Sequence, residues 1–285
     1  MNKTVFLSIL VAMSGVACSK DNLPTYIQLG DLRVLALIAD KPEAPVGTLV
    51  TITPVVSDVN GGGRALTFTA EACNDPGVGV GANPTCVGSD TRVVLVGPTA
   101  AAVTGIAAPD FTGAATSTIA VTLPASVFTN ASAIQQAIGV PYLFVYKLIA
   151  ADGATVTAFK RVLVSVKPAL GAVANQNPSI TAIMSGGSAY TMLGTDKVFL
   201  SPLFGANSAE TFVAIQGDGS TVQQTEQLIT TWFISDGSVD SFRTLSTDAV
   251  GFVPPTSPPP NGRHTVILPV VRDGRGGEAF FKQAL

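Results

Sequence analysis

His264 is the single histidine of the chain, so any Ser-His-Asp or Cys-His mechanism would have to use it as the base. It stands after Gly262-Arg263 and before the run "TVILPVV", where an exposed residue entering a strand is the ordinary reading. Zinc needs three or four protein ligands, which one histidine and the scattered Cys18, Cys73 and Cys86 do not supply. Carboxylates offer more. Asp236 with Asp240 is the pair that a hydrolase would have to converge in a pocket. Asp58 with Asn60, Asp236 with Asp240, and Asp273 before Gly274 also present the hard oxygen donors that calcium takes. None of these stretches has the dense acidic spacing of a dedicated calcium loop, and Asp-Gly is favoured in turns for backbone reasons alone. The expectation is therefore no cofactor and no metal, with structural calcium as the minor alternative. "GVGVGAN", Gly77 to Asn83, would need a strand before it and a helix after it to cradle phosphate; it runs into Pro84 and reads as a turn. Tyr142, Phe144 and Tyr146 alternate and so share one face of a strand. Exposed, Tyr142 and Tyr146 would make an interaction face for glycan or protein; in a sandwich the same residues line the inner face.

The bulk composition limits what these residues can serve. Only 12% of the 285 residues are charged, against about a quarter in an average globular domain, and Thr, Val, Ala, Ser and Gly take their place. That is the composition of short strands and turns. Net charge is -3 and no basic block exceeds Lys160-Arg161, which removes nucleic acid as an expected partner. No small-molecule substrate is indicated.

The N-terminus has an address. Lys3 is a positive n-region, Val5 to Met13 an apolar core too short for the about 20 residues of a membrane-spanning helix, and Ser14-Gly15-Val16-Ala17 a small-residue cleavage site. "GVACSKD" resembles a bacterial lipoprotein signal, although Gly15 stands where that family usually has Leu. The resemblance implies cleavage before Cys18, acylation of Cys18, and, with Ser19 next, sorting to the outer membrane. The alternative is plain secretion with cleavage nearby. With Cys18 assigned to lipid, Cys73 and Cys86 remain as an even pair in an exported chain, and a structural disulfide across the turn-rich "NDPGVGVGANPT" is expected.

Strands must position all of this. "LRVLALIADKPEAPVGTLVTITPVVSD" reads as a strand, a Pro-kinked edge and a second strand ending at Asp58-Val59-Asn60-Gly61-Gly62-Gly63; "RALTFTAEAC" is a third. "VPYLFVYKLIAADGATVTAFKRVLVSV" is a long hairpin turning at Ala151-Asp152-Gly153-Ala154, and only "ASAIQQAI", Ala131 to Ile138, has helical spacing. After the small, polar "PALGAVANQNPS" the pattern returns. "SITAIMSG" answers "RVLALIAD", "DKVFLSPLFGAN" answers "GTLVTITPVVSD", "LITTWFISDGS" answers "LTFTAEACND", and the last hairpin turns at Asp273-Gly274 as the first does at Asp152-Gly153.

This order of elements, with Trp232 on a middle strand and a terminal hairpin after "NGRHTV", resembles the immunoglobulin-like and PKD-like modules of bacterial surface lipoproteins. The expected fold is all-β, two tandem immunoglobulin-like β-sandwiches after a lipoprotein signal peptide. The boundaries are 1-17 for the signal, 18-30 for a lipidated tether, 31-167 for the first sandwich, 168-179 for a linker that sets the angle between modules, and 180-285 for the second sandwich. The resemblance implies that Trp232 packs between the sheets. The first half departs from it in having no Trp and in carrying a segment from Val96 to Thr118 that reads as extra strands or a mobile flap. The function expected is a non-enzymatic, lipid-anchored subunit of an envelope assembly, held to the membrane by its lipid and contacting an envelope protein through loops or open strand edges. A surface adhesion or glycan-binding module is the alternative.

Overall fold

A computed structural model describes residues 26–77, 84–215 and 220–285. The signal segment, Cys18 and all of the Gly77 to Asn83 loop but its first residue lie outside the described residues. The first half supplies β1 (Arg33–Ala39), β2 (Glu43–Ala44), β3 (Leu49–Ser57), β4 (Leu66–Asn74), β5 (Val93–Ala102), β6 (Thr112–Ala114), β7 (Ile119–Thr122), helix α1 (Ala133–Ile138), β8 (Val140–Ala150) and β9 (Thr155–Val164). One sheet is ordered β1-β3-β6 with β7 also on β3; the other is β2-β9-β8-β4-β5. Helix α1 is the helical segment expected from sequence, started by a capping box between Ser132 and Gln135.

The second half supplies β10 (Ile180–Ser185), β11 (Ser188–Ala189), β12 (Val198–Phe204), β13 (Thr211–Ile215), β14 (Thr221–Thr225), β15 (Ile229–Ile234), β16 (Ser238–Val239), β17 (Arg243–Leu245), β18 (Val250–Val253), β19 (Val266–Arg272), β20 (Glu278–Phe280) and β21 (Gln283–Ala284). Its sheets are β11-β10-β12-β18-β16 and β17-β15-β19-β20, with β21 on β19; β13 and β14 form a separate ribbon. In immunoglobulin terms β1, β3 and β7, like β10, β12 and β18, are strands A, B and E. Strands β4, β8 and β9, like β15, β19 and β20, are C, F and G.

The repeat seen in the sequence is a repeat of register. Strand β1 pairs β3 after a bulge with Leu37 opposite Pro54, and β10 pairs β12 after a bulge with Ile183 opposite Pro202. Each terminal hairpin is held by its aspartate. Asp152 accepts the N–H of Ala154 at 3.1 Å and Asp273 that of Arg275 at 2.7 Å, so these carboxylates close turns.

Alternation then builds two cores. In the first, Val50, Ile52 and Val56 face Phe68, Phe144 and Leu148, all buried. In the second, Trp232 is fully buried beside Leu200, Phe252 and Ile267, and its indole N–H donates to Thr244 at 2.9 Å. Register puts Phe68, opposite Leu148, where the second half has Trp232, opposite Pro269. The first half lacks a Trp because a phenylalanine, stacked on Tyr146 at 5.2 Å, fills that place.

A third core joins the halves. Leu35, Ala36 and Val55 on the outer face of β1 and β3 pack against Phe233, Leu268 and Val270 on the outer face of β15 and β19, all buried. The molecule is thus four sheets deep, and the packed faces, rather than the proline-containing stretch 168–179, fix the angle between the sandwiches. That stretch is itself docked: Asn175 is buried and the Asn177 amide donates to the Ala39 carbonyl at 2.6 Å. The expected tether also differs from Tyr26 onward. Ile27 and Leu29 are buried, with Leu29 N–H donating to the Ile234 carbonyl at 2.6 Å and Ile234 N–H to the Ile27 carbonyl at 3.0 Å. The Val96 to Thr118 segment consists of the end of β5, a crossing loop and β6, and so adds strands to both sheets of the first sandwich.

Candidate functional site at the junction of the sandwiches

Among the described residues, most of the buried charge converges where the two sandwiches meet, beside the apolar contact. Glu43 on β2 is buried and held by the Lys167 ammonium at 2.9 Å and the Asn175 N–H at 2.8 Å. Lys160 on β9 is buried too. It donates to the Gly276 carbonyl at 2.5 Å and faces Glu278 of β20 at 3.4 Å. Burial pushes the Lys160 ammonium below the ordinary lysine range, and the neighbouring Glu278 opposes that shift. Arg272 bonds Glu278 at 3.0 Å and reaches across to the Leu35 carbonyl at 3.2 Å.

The second hairpin completes the network. Asp273 accepts the Gly277 N–H at 2.9 Å and the Asn175 amide at 2.9 Å. The turn needs glycine at position 277, because a Cβ there would lie 2.7 Å from the Gln176 carbonyl oxygen and closer still to the Asp273 carboxylate. Arg275 then ion-pairs with Glu226 at 2.5 Å and Glu210 at 2.7 Å, with its guanidinium 4.0 Å from the centre of the Phe212 ring. Burial raises the Glu226 carboxyl above its ordinary range, against the pull of the Glu210 N–H and Arg275.

A second clip lies beyond the apolar contact. Asp110, in the crossing loop of the Val96 to Thr118 segment, is buried and takes Lys282 at 2.9 Å and His264 Nδ1 at 3.0 Å. The segment therefore acts as a strut between sandwiches. The chain's one imidazole lies against that strut, its Nδ1 3.0 Å from the Asp110 carboxylate.

The other sequence candidates are dispersed. Asp236 accepts from the Ser235 hydroxyl at 2.6 Å and lies 4.0 Å from Arg263, while Asp240 binds Lys197 at 3.2 Å and the Gly251 N–H at 2.8 Å. The two share no partner, so they do not form a convergent pair. The Gly251 N–H is the main reason that the Asp240 carboxyl is held below its ordinary range. Asp58 is clamped bidentately by Arg64 at 2.7 and 2.8 Å, and Arg64 also bonds Asp152. The carboxylates considered for calcium are thus tied to arginine, lysine, hydroxyl, amide and backbone groups, and among the described residues no three His, Cys, Asp or Glu side chains cluster as metal ligands.

The aromatic interaction face is corrected by burial. Tyr142 is 1% exposed and Tyr146 0%, with Phe144 between them equally enclosed, because β8 is the central strand of its sheet and turns this face into the core. Burial raises both tyrosine hydroxyls in pKa. Cys73 and Cys86 form the disulfide expected from sequence, spanning 13 positions, and pack with Leu143 and Val145 on the outer face of the same sheet.

Edge docking on β5 is disfavoured by the strand itself. Its ladder with β4 jumps from Phe68 opposite Ala101 to Ala70 opposite Val96, leaving Gly97 to Ala100 bulged out with Pro98 among them. Bulges and proline are two devices that keep a strand edge from templating another chain.

Fold and junction together define the class: an all-β chain of two tandem immunoglobulin-like sandwiches locked face to face. No family model and no curated protein matches the sequence. Among solved structures, the chain is similar to HBP35 of Porphyromonas gingivalis at TM-score 0.30 and 13% identity, covering 90% of this chain and 64% of that one. It is also similar to extracellular domains 3-5 of Drosophila OTK at TM-score 0.21 and 7% identity, covering 90% of this chain and 97% of that one. Overlap at this level transfers neither activity nor location.

Sequence reasoning missed the junction, although one signal was present. "VILPVV" in β19 has no polar alternation, and an uninterrupted apolar strand is one buried on both faces.

Proposed function

We propose that this chain is a non-enzymatic, lipid-anchored protein of the bacterial outer membrane that serves as a rigid structural or protein-interaction subunit of an envelope assembly. The observation that carries the reading is the junction. The buried ionisable groups Glu43, Lys160, Glu226 and Asp273 are each held by partners that brace one sandwich against the other or tie the turns at their meeting point. Such a body transmits position rather than performing chemistry. The N-terminal signal pattern and the Cys73–Cys86 disulfide support an exported location. Cys18 and Tyr26 are eight positions apart, a reach of at most about 28 Å, so an acylated Cys18 would hold the body close against the leaflet.

The test is chemical cross-linking in intact cells followed by mass spectrometry. Recurrent links from the chain's lysines to one or two envelope proteins are expected. A clean absence of protein links, with the lysines well covered, overturns the subunit role. The anchor has its own test: Cys18→Ser should release the protein from membranes, and retention there would overturn lipidation.

A further inference from the structure

The N-terminal chain joins the second sandwich along one edge of its C-F-G sheet. Trp232 N–H donates to the Phe242 carbonyl at 3.0 Å and Ile234 N–H to the Ile27 carbonyl at 3.0 Å, so residues 26–29 prolong along β15 the edge that β17 begins. This sets Tyr26 beside Phe242, edge to face with ring centres 6.4 Å apart, and 5.9 Å from the Phe233 ring. Phe233 is buried there, but Tyr26 remains 60% exposed and Phe242 49%. Two guanidinium groups flank the pair. Arg243 lies over the Phe242 ring at 5.2 Å, and Arg33 donates to the Tyr26 carbonyl. Among the described residues neither arginine is paired with a carboxylate; the acids nearest to them in sequence, Asp31 and Asp240, bond the Asn60 amide and Lys197.

That lack of a counter-ion sets this patch apart. The other exposed phenylalanines also have a cation over the ring, Arg161 at Phe159 and Lys197 at Phe199, but Asp75 and Asp240 neutralise those cations. Aromatic rings settle at the boundary between headgroups and acyl chains, and unpaired arginines meet lipid phosphate, so rings and free guanidinium groups together fit an anionic bilayer surface. The tether points to the same occupant. Cys18 is eight positions from Tyr26, so an acyl anchor at Cys18 brings this edge to within about 28 Å of the leaflet at most. At the local concentration such a short tether sets, a weak contact is enough to orient the body.

We propose that Tyr26, Phe242, Arg33 and Arg243 form the surface by which the body lies on an anionic phospholipid leaflet. The inference rests on the lipid anchor proposed above and adds the face that the anchored protein turns to the membrane.

The experiment supplies the anchor chemically. The mature chain, residues 18–285, is exported on an ordinary secretory signal, purified, and coupled through the Cys18 thiol to maleimide lipid in vesicles of phosphatidylcholine and phosphatidylglycerol. Coupling holds the chain whether or not cells acylate it, so this result is independent of the Cys18→Ser test of lipidation. With brominated acyl chains, the emission added by Phe242→Trp should fall by about half or more, while that added by Phe199→Trp, on another sheet, should persist, each above the constant emission of buried Trp232. Left uncoupled, the chain with Cys18→Ser should bind the same vesicles weakly. Arg243→Gln should reduce that binding about fivefold, with thermal unfolding unchanged because Arg243 is exposed, and should not alter binding to phosphatidylcholine alone. Equal quenching at the two positions overturns the proposal, as does vesicle binding indifferent to Arg243→Gln.

Discussion

Leu268→Ala tests whether the two sandwiches are one body. Leu268 is fully buried on the outer face of β19, in the contact with Leu35, Ala36 and Val55, and takes no part in the inner core of its own sandwich. The substitution removes three carbons, about 2.4 kcal/mol of transfer free energy at about 0.8 kcal/mol each. The cavity adds to this, because β15 and β19 are pinned by their ladder and cannot collapse into it, so a total of about 3 to 4 kcal/mol is expected. For a chain of this size that is a fall of about 6 to 16 °C in melting temperature. Calorimetry and urea denaturation followed by circular dichroism read it. The wild type should unfold in one transition; the variant should shift and broaden or split, because coupling between the halves is what the missing side chain supplied. A variant with the wild-type midpoint, or a wild type with two separate transitions, would refute the four-layer body.

Removing the disulfide by Cys73→Ala with Cys86→Ala frees a loop of 13 positions and should cost about 3 kcal/mol, matched by wild type melted under reductant. Equal melting of oxidised and reduced wild type would count against it. Trp232→Phe should cost about 2 to 4 kcal/mol, since it opens a cavity and strands the buried Thr244 hydroxyl that the indole N–H meets; the sole tryptophan's emission, blue while folded, reports the wild-type transition. Glu226→Gln tests the junction through pH. Burial raises the Glu226 carboxyl, so between the unfolded value of about 4.3 and the folded value the native state holds a proton that the unfolded state has lost. That contribution to stability is therefore present at low pH and declines as pH rises through the folded value. Urea midpoints measured across the acid range should show this decline in wild type and its absence in Glu226→Gln, and parallel profiles would show that Glu226 is not desolvated.

The strands, the repeat and the paired cysteines were legible because each leaves a local mark. Alternation fixed the inner face of β8, so the aromatic run Tyr142, Phe144 and Tyr146 read either as platform or as core. Only the position of β8 between β4 and β9, a long-range fact, selected the core. The aspartates at 152 and 273 were legible as turn residues for the same local reason, whereas the second function of Asp273, accepting the Asn175 amide 98 positions away, was not. Asp110 and His264 met for no reason visible in either segment, because their pairing depends on the stacking of the two sandwiches. The ribbon of β13 and β14 escaped notice because its strands join no larger sheet and β14 is exposed along its whole length.

The stacking itself follows from how the repeats diverged. Their inner faces are interchangeable in pattern: Phe68 for Trp232, Leu37 for Ile183, Pro54 for Pro202. Their outer C-F-G faces are not. Where the first repeat has Thr69 opposite Lys147, the second has Phe233 opposite Leu268. Leaving Phe233 and Leu268 in water would cost about 1.5 to 3 kcal/mol each, while desolvating Lys147 without a partner would cost more, so at this position burial favours the second C-F-G face. Given one such face and two A-B-E faces, the chain joins it to the A-B-E face of the first sandwich, which it reaches within the same molecule at high effective concentration. One A-B-E face is left over. The asymmetry that makes the pair rigid is thus also what leaves Phe199 and Leu203 exposed.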